Sequence, residues 1–323
     1  MYLYHYGLRE LPFTLTPNTE FYCDLAGHHA ALEVLTTALK TGEGFIKVVG
    51  EVGTGKTLLC RKLLNEIPDF FVTVYIPNPY LDPQELREAI AAELQIDTQA
   101  DYSSQQLTKL IQQRLLEINR AGQSVVIILD EAQALPSESL EALRLFSNLE
   151  TERRKLVHLV LFGQPELDEK LAEKVHRQLR QRITFSYQLG AMSEAEVATY
   201  ISHRLHVAGY RGPAIMPAAV VRAIYQASRG IPRLVNVLCH KVLLLCFGEG
   251  VHQVKVAHVR NAAVDTEDAS ELSRWRWKWA FGGLLLLAIL LGAGYVLDAD
   301  WRAAIAWLPQ WLLQSIALDE ALT

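Results

Sequence analysis

The stretch Gly50-Glu51-Val52-Gly53-Thr54-Gly55-Lys56-Thr57 fits the pattern G-x-x-x-x-G-K-[ST] at every position. An apolar run, Phe45–Val49, precedes it, and helical spacing over Leu58–Ile67 follows it. That order of strand, glycine-rich turn and helix is what a phosphate-binding loop requires. Glycines let the backbone close around an anion, and the unpaired N–H groups of the first helical turn point at it. Lys56 then reaches the β- and γ-phosphates of a nucleoside triphosphate, and the Thr57 hydroxyl ligates Mg²⁺. The expected nucleotide cradle is therefore the whole loop together with Leu58.

A second apolar run, Val125–Leu129, ends in Asp130 and Glu131. Ligands of open α/β sheets bind at the carboxyl ends of strands, so both carboxylates are expected to face the phosphate loop. Asp130 would hold Mg²⁺ through water, in partnership with Thr57, and Glu131 would polarise the attacking water. A third run, Leu156–Phe162, leads into Gly163-Gln164-Pro165-Glu166; Gln164 either senses the γ-phosphate or simply forms the turn. Further on, His176-Arg-Gln-Leu-Arg180-Gln-Arg182 closes a helix. Arg182 first, and Arg180 second, is either a partner of the helix dipole or a finger offered to a neighbouring subunit's nucleotide. In Gly230-Ile-Pro-Arg233 a cation stands in the first turn of a helix, against the dipole, so an anionic partner such as the bound nucleotide is expected for Arg233.

Two more runs, Phe70–Ile76 and Ile183–Tyr187, complete a set whose β-branched and aromatic content suits strands buried on both faces. Helical patterns separate them, which predicts an α/β fold with a doubly wound parallel sheet. After Leu189 the strand runs stop. Ser193–Ala208, Pro217–Ser228, Pro232–Phe247 and a shorter piece near Lys255–Val264 carry helical spacing, with Ser193 and Glu196 set as a capping box. The expected organisation is a nucleotide-binding core over residues 1–190, a helical lid over 191–265, a linker and basic-aromatic collar over 266–279, a transmembrane helix over 280–297 and a short tail over 298–323.

The last two pieces rest on composition. All six tryptophans follow Arg274, and Ala280–Leu297 is 18 residues without a charge. As a helix those residues span about 27 Å, close to the hydrocarbon thickness of a bilayer. Arg274, Arg276 and Lys278 stand before the span and only Arg302 closely after it, which places residues 1–273 in the cytoplasm. No secretory signal pattern opens the sequence. The chain of 323 residues is half apolar with 21% charged residues, which excludes a largely disordered polymer. A net charge of −5 argues against nucleic-acid binding through bulk positive charge. Four scattered cysteines without a C-x-x-C pair suit reduced, buried thiols.

Taken together, these residues resemble an AAA+ P-loop ATPase of the ExeA/GspA secretion-ATPase family. The resemblance is carried by Tyr6-Gly7-Leu8, Pro12-Phe13, Thr16-Pro17, Gly50–Thr57, Leu129-Asp-Glu-Ala-Gln133, Phe162-Gly-Gln-Pro-Glu-Leu167, Gln181-Arg182 and Gly230-Ile-Pro-Arg-Leu-Val-Asn236. It implies ATP and Mg²⁺, ring-like homo-oligomers, and envelope partners in pilus or secretion assembly at the bacterial inner membrane. ExeA-type members carry a peptidoglycan-binding domain after the span, which these 323 residues do not include. In that respect the chain is similar to the shorter members that serve mannose-sensitive haemagglutinin pilus biogenesis. Two other readings share the core pattern: a nucleotide-dependent scaffold that binds without hydrolysing, and a DNA-associated helper ATPase. The expected membrane span speaks against the second.

Overall fold

Each of the five apolar runs forms a strand: β1 (Phe45–Gly50), β2 (Phe71–Ile76), β3 (Ser124–Leu129), β4 (Val157–Gly163) and β5 (Phe185–Leu189). The structure is a computed structural model that describes residues 2–97, 102–150 and 155–269. All four strand pairings are parallel, in the order β2-β3-β4-β1-β5. β4 is buried along its whole length, as a central strand covered on both faces must be. β5 begins two residues later than the apolar pattern of Ile183–Tyr187 suggests. Ile183 still bonds back to Arg180 at the preceding helix, and as an exposed edge strand β5 buries only Leu189, so hydrophobicity marks its start poorly.

In chain order the helices are α1 (Leu3–Tyr6), α2 (Ala26–Lys40), α3 (Lys56–Glu66), α4 (Pro83–Glu93), α5 (Ser104–Arg120), α6 (Ser137–Phe146), α7 (Pro165–Ala172) and α8 (Arg177–Arg180), then α9 (Glu194–Val207), α10 (Ala218–Ser228), α11 (Pro232–Gly248) and α12 (Val256–Val264). Strand alternation divides the core between two helical layers. Val125, Ile127 and Leu129 of β3 pack with α4 to α8, whereas Val126 and Ile128 pack with α2 and α3. Capping boxes at Asp82, Ser103 and Ser193 satisfy free backbone donors at the starts of α4, α5 and α9. The sheet is thus doubly wound, and its strand order leaves β4 between β1 and β3.

After β5 no further strand occurs among the described residues, and α9 to α12 pack on one another around Val197, Ile224, Leu238 and Val242. Residues 2–13, expected to belong to the core, make contacts with these helices and the turns after them. Tyr2 Oη meets His240 Nδ1 at 2.9 Å, Arg9 N–H donates to Ala208 O at 2.8 Å, and Arg204 Nε donates to Pro12 O. The described residues up to 269 belong to one compact unit. Among the described residues no helix is long and apolar enough to cross a membrane. The expected collar and span, 274–297, lie outside the described residues.

Candidate nucleotide site

The loop between β1 and α3 takes the conformation that its glycines permit. Gly53 has φ +81° and Gly55 has φ +99°, values that side-chain-bearing residues rarely adopt. Each also leaves room for a neighbour. A Cβ on Gly50 would stand 2.7 Å from Leu189 O, and one on Gly53 would stand 2.6 Å from Arg233 Cβ. Lys56 opens α3 and is only 4% exposed. Its ammonium donates to Gly50 O at 2.7 Å and Glu51 O at 2.9 Å. Burial lowers its pKa, with Glu131 and Asp130 opposing that shift. A buried ammonium whose hydrogen bonds go to two neutral carbonyls is ready for an anion.

Asp130, 2% exposed, follows β3 directly. Burial pushes its carboxyl up, while the Thr57 hydroxyl and the Glu131 N–H, at 3.0 Å from Oδ1, hydrogen-bond the charged form. Thr57 and Asp130 put two hard oxygen donors side by side next to the loop. That donor set fits Mg²⁺. Glu131 has φ +54°, a left-handed conformation that costs a non-glycine residue about 1 kcal/mol or more and recurs at functional sites. Its Oε2 accepts from Gln133 Nε2 at 2.6 Å and Gln164 Nε2 at 2.9 Å. Gln133 Oε1 in turn accepts from the Gln164 N–H at 3.0 Å. Burial raises the Glu131 carboxyl, but the amide donors and Lys56 outweigh it, and the net shift is downward.

The helices complete the site. Arg233, at the start of α11, donates its N–H to Gly53 O at 3.1 Å, so α11 rests directly on the loop. A cavity of about 370 Å³ lies between the loop residues Val52, Gly53 and Gly55–Leu58, Glu131, the segment Thr14–Asn18, and Tyr200, Arg204, Arg233 and Asn236. A larger cleft of about 760 Å³, which shares Thr14 and Thr16–Asn18 and reaches Arg61 and Asn65, includes no residue of the phosphate loop. The structure places Glu131 and Arg233 beside the loop Gly50–Leu58, with Asp130 next to Glu131 and Gln164 hydrogen-bonded to it. Sequence reasoning missed Thr14–Asn18, Tyr200 and Arg204 as cavity walls, since nothing in their local pattern speaks of a ligand. Arg180 and Arg182 do not reach this cavity. Both are exposed; Arg182 Nη1 donates to Ser147 O at 3.2 Å, and Arg180 Nη1 to Ala172 O at 3.4 Å.

Comparison with known proteins agrees with this geometry. Residues 39–171 match the family described as AAA domain. The chain is 39% identical over 290 residues to general secretion pathway protein A of Aeromonas hydrophila, a match covering 89% of this chain and 53% of that protein. The chain therefore spans about half the length of this curated relative. Among solved structures it is similar to Cdc6p of Pyrobaculum aerophilum, with TM-score 0.60, 18% identity, and 77% of this chain and 71% of that chain covered. It is also similar to the Aeropyrum pernix ORC2 protein, solved as ADPNP and ADP complexes, with TM-score 0.58, 16% identity, and 79% and 73% covered. At such identities the likeness is one of fold. The fold is the AAA-type P-loop α/β fold with a parallel sheet.

Proposed function

Starting from an AAA-type P-loop fold similar over most of its length to general secretion pathway protein A, we propose that this chain is an ATPase of that kind. In this reading it is anchored in the bacterial inner membrane by residues 280–297 and keeps its ATPase unit in the cytoplasm. Hydrolysis drives or regulates the assembly of a type IV pilus or secretion apparatus. The observation that supports hydrolysis over binding alone is Glu131: a strained backbone and two amide donors hold a carboxylate at the strand tip beside the phosphate loop.

The roles follow from the positions. Lys56 leaves the Gly50 and Glu51 carbonyls for the triphosphate. Thr57 and Asp130 would hold Mg²⁺, which would supply positive charge against the phosphate oxygens. Glu131 accepts a proton from the attacking water, and Gln164 orients both the carboxylate and that water. Arg233 carries the state of the phosphates into α11, so that α9 to α12 act as a lid. Arg182, or Arg180, serves the nucleotide of an adjacent subunit in a ring-like homo-oligomer, which accounts for its exposed position away from its own cavity.

The test is phosphate release by the full chain in lipid, with Mg²⁺ and ATP, beside Glu131→Gln. Turnover by the wild type and its loss in the variant, with ATP binding kept, are expected. Wild-type rates from Glu131→Gln would overturn the assignment of the base. Binding without turnover in the wild-type oligomer would make the chain a nucleotide-dependent scaffold instead.

A further inference from the structure

We propose that His28 is a positioning residue for nucleotide binding: it orients the Thr54–Gly55 peptide so that the Gly55 N–H faces the phosphate. This deepens the nucleotide-binding reading and rests on it. His28 stands in the first turn of α2, more than twenty residues before the loop, and is 7% exposed. Its Nε2 lies 3.1 Å from Thr54 O. A carbonyl oxygen only accepts, so Nε2 carries the proton and the imidazole donates.

The consequence comes from peptide geometry. No cis peptide occurs among the described residues, and in a trans peptide the C=O and the following N–H point in opposite directions. Pinning Thr54 O toward α2 therefore turns the Gly55 N–H toward the inside of the loop. The imidazole also fills the space that Gly55 leaves, since a Cβ there would come within 2.8 Å of Nε2. The ring is itself fixed. Tyr22 meets it edge-on, with centroids 6.3 Å apart at 85°. Tyr187 of β5 donates to the neighbouring Gly27 O at 2.9 Å. The preceding carbonyl, Gly53 O, is pinned in parallel by the Arg233 N–H. Two consecutive loop carbonyls are thus drawn outward, one by α2 and one by α11, and His28 supplies the only side-chain donor of the pair. His28 touches no phosphate; it acts through Gly55.

The experiment compares Mg-ADP binding by the full chain, measured by calorimetry in detergent, for wild type, His28→Met, His28→Asn and His28→Gln. Methionine has similar length and no donor, asparagine has a donor that falls short, and the glutamine amide has the reach of Nε2. Loss of the donor is expected to weaken ADP binding about tenfold in His28→Met and His28→Asn, with His28→Gln within about threefold of wild type. With ATP, the same variants should raise KM more than they lower kcat, since the contact is made equally in ground and transition states. Nucleotide-free melting curves identify a variant that fails to fold, and the remaining loss variant then carries the comparison. Unchanged ADP affinity in a folded donor-less variant, or His28→Gln as weak as His28→Asn, would overturn the proposal. Failure of the wild type to bind Mg-ADP would instead overturn the nucleotide reading itself.

Discussion

Gln164 donates its side-chain amide to Glu131 Oε2 at 2.9 Å across 33 residues of chain. The contact follows from strand order. β4 lies between β1 and β3, so the residue after β4 stands beside the tip of β3 at the mouth of the phosphate loop. The amide stabilises the ionised carboxyl, and it does so together with Gln133.

Gln164→Leu removes one of the two amide donors that offset burial at Glu131. The carboxyl pKa then rises from its lowered position, because only the charged form loses a partner. If hydrolysis requires ionised Glu131, the acid limb of kcat against pH moves to higher pH. At neutral pH, kcat falls about ten- to a hundredfold through lost positioning, while Mg-ADP affinity stays within about threefold. Steady-state rates from pH 5 upward check both statements; an unmoved acid limb would separate Gln164 from the base.

Gly53→Ala is best read against Gly42→Ala. Both glycines have φ +81°, so both substitutions carry the backbone strain of about 1–2 kcal/mol. At Gly42 a Cβ meets nothing within 4 Å, whereas at Gly53 it meets Arg233 Cβ at 2.6 Å. Gly53→Ala should therefore lower the melting temperature further and weaken nucleotide binding, because α11 must shift off the loop. Gly42→Ala should cost stability alone. Equal effects from the two would show that α11 does not bear on the loop in solution.

Asp130→Asn should stabilise the nucleotide-free protein. Burial raises the Asp130 carboxyl in the folded state above its unfolded value. The unfolded chain therefore loses its proton first as pH rises, and stability falls through the window between the ordinary carboxylate pKa and the raised one. Above that window the folded protein carries a costly buried charge that asparagine lacks. Near neutral pH the variant should melt about 2–4 °C higher than wild type, with the difference shrinking in acid. The Mg²⁺-dependent part of nucleotide stabilisation should vanish in the same variant. A lower melting point would mean that Thr57 and the Glu131 N–H fully compensate the carboxylate.

The parts of the site that were legible in the sequence are those that a single loop specifies. Gly50–Thr57 announces itself because the chemistry needs its residues in one order over one turn, and Asp130-Glu131 because an apolar strand ends abruptly in charge. Gln164 was readable one step further, as a polar residue just past the end of an apolar run, with the γ-phosphate and a plain turn both open as readings. His28, Tyr200, Arg204 and the segment Thr14–Asn18 were not readable. They reach the site through helix packing and a crossing of the N-terminal segment, and each looks locally like an ordinary polar residue of a helix or turn. The same holds for residues 2–13: their sequence neighbours belong to the core, yet their partners are in α9, in α11 and in the turns that follow those helices.

That crossing is itself testable through Arg204, which is 5% exposed. Its Nε donates to Pro12 O and its Nη1 to Tyr200 Oη at 2.7 Å, while Tyr200 Oη donates to Asn236 Oδ1 at 3.0 Å. The guanidinium also lies 4.9 Å from the centre of the Phe21 ring. Arg204 thus ties the N-terminal segment to α9 and, through Tyr200, to α11, and Thr14–Asn18, which follows the tie, forms a wall of the cavity. Arg204→Met keeps most of the volume but leaves the Pro12 carbonyl without this donor, for an expected loss of about 1–3 kcal/mol. Because residues 2–13 lose an anchor, limited proteolysis should cut the N-terminal segment faster than in wild type. Because Thr14–Asn18 lines the cavity, a nucleotide bound there would meet this segment, so Mg-ADP should slow cleavage in the wild type and slow it less in Arg204→Met. Cleavage equally fast in both proteins, with and without nucleotide, would show that the N-terminal segment is not coupled to the cavity.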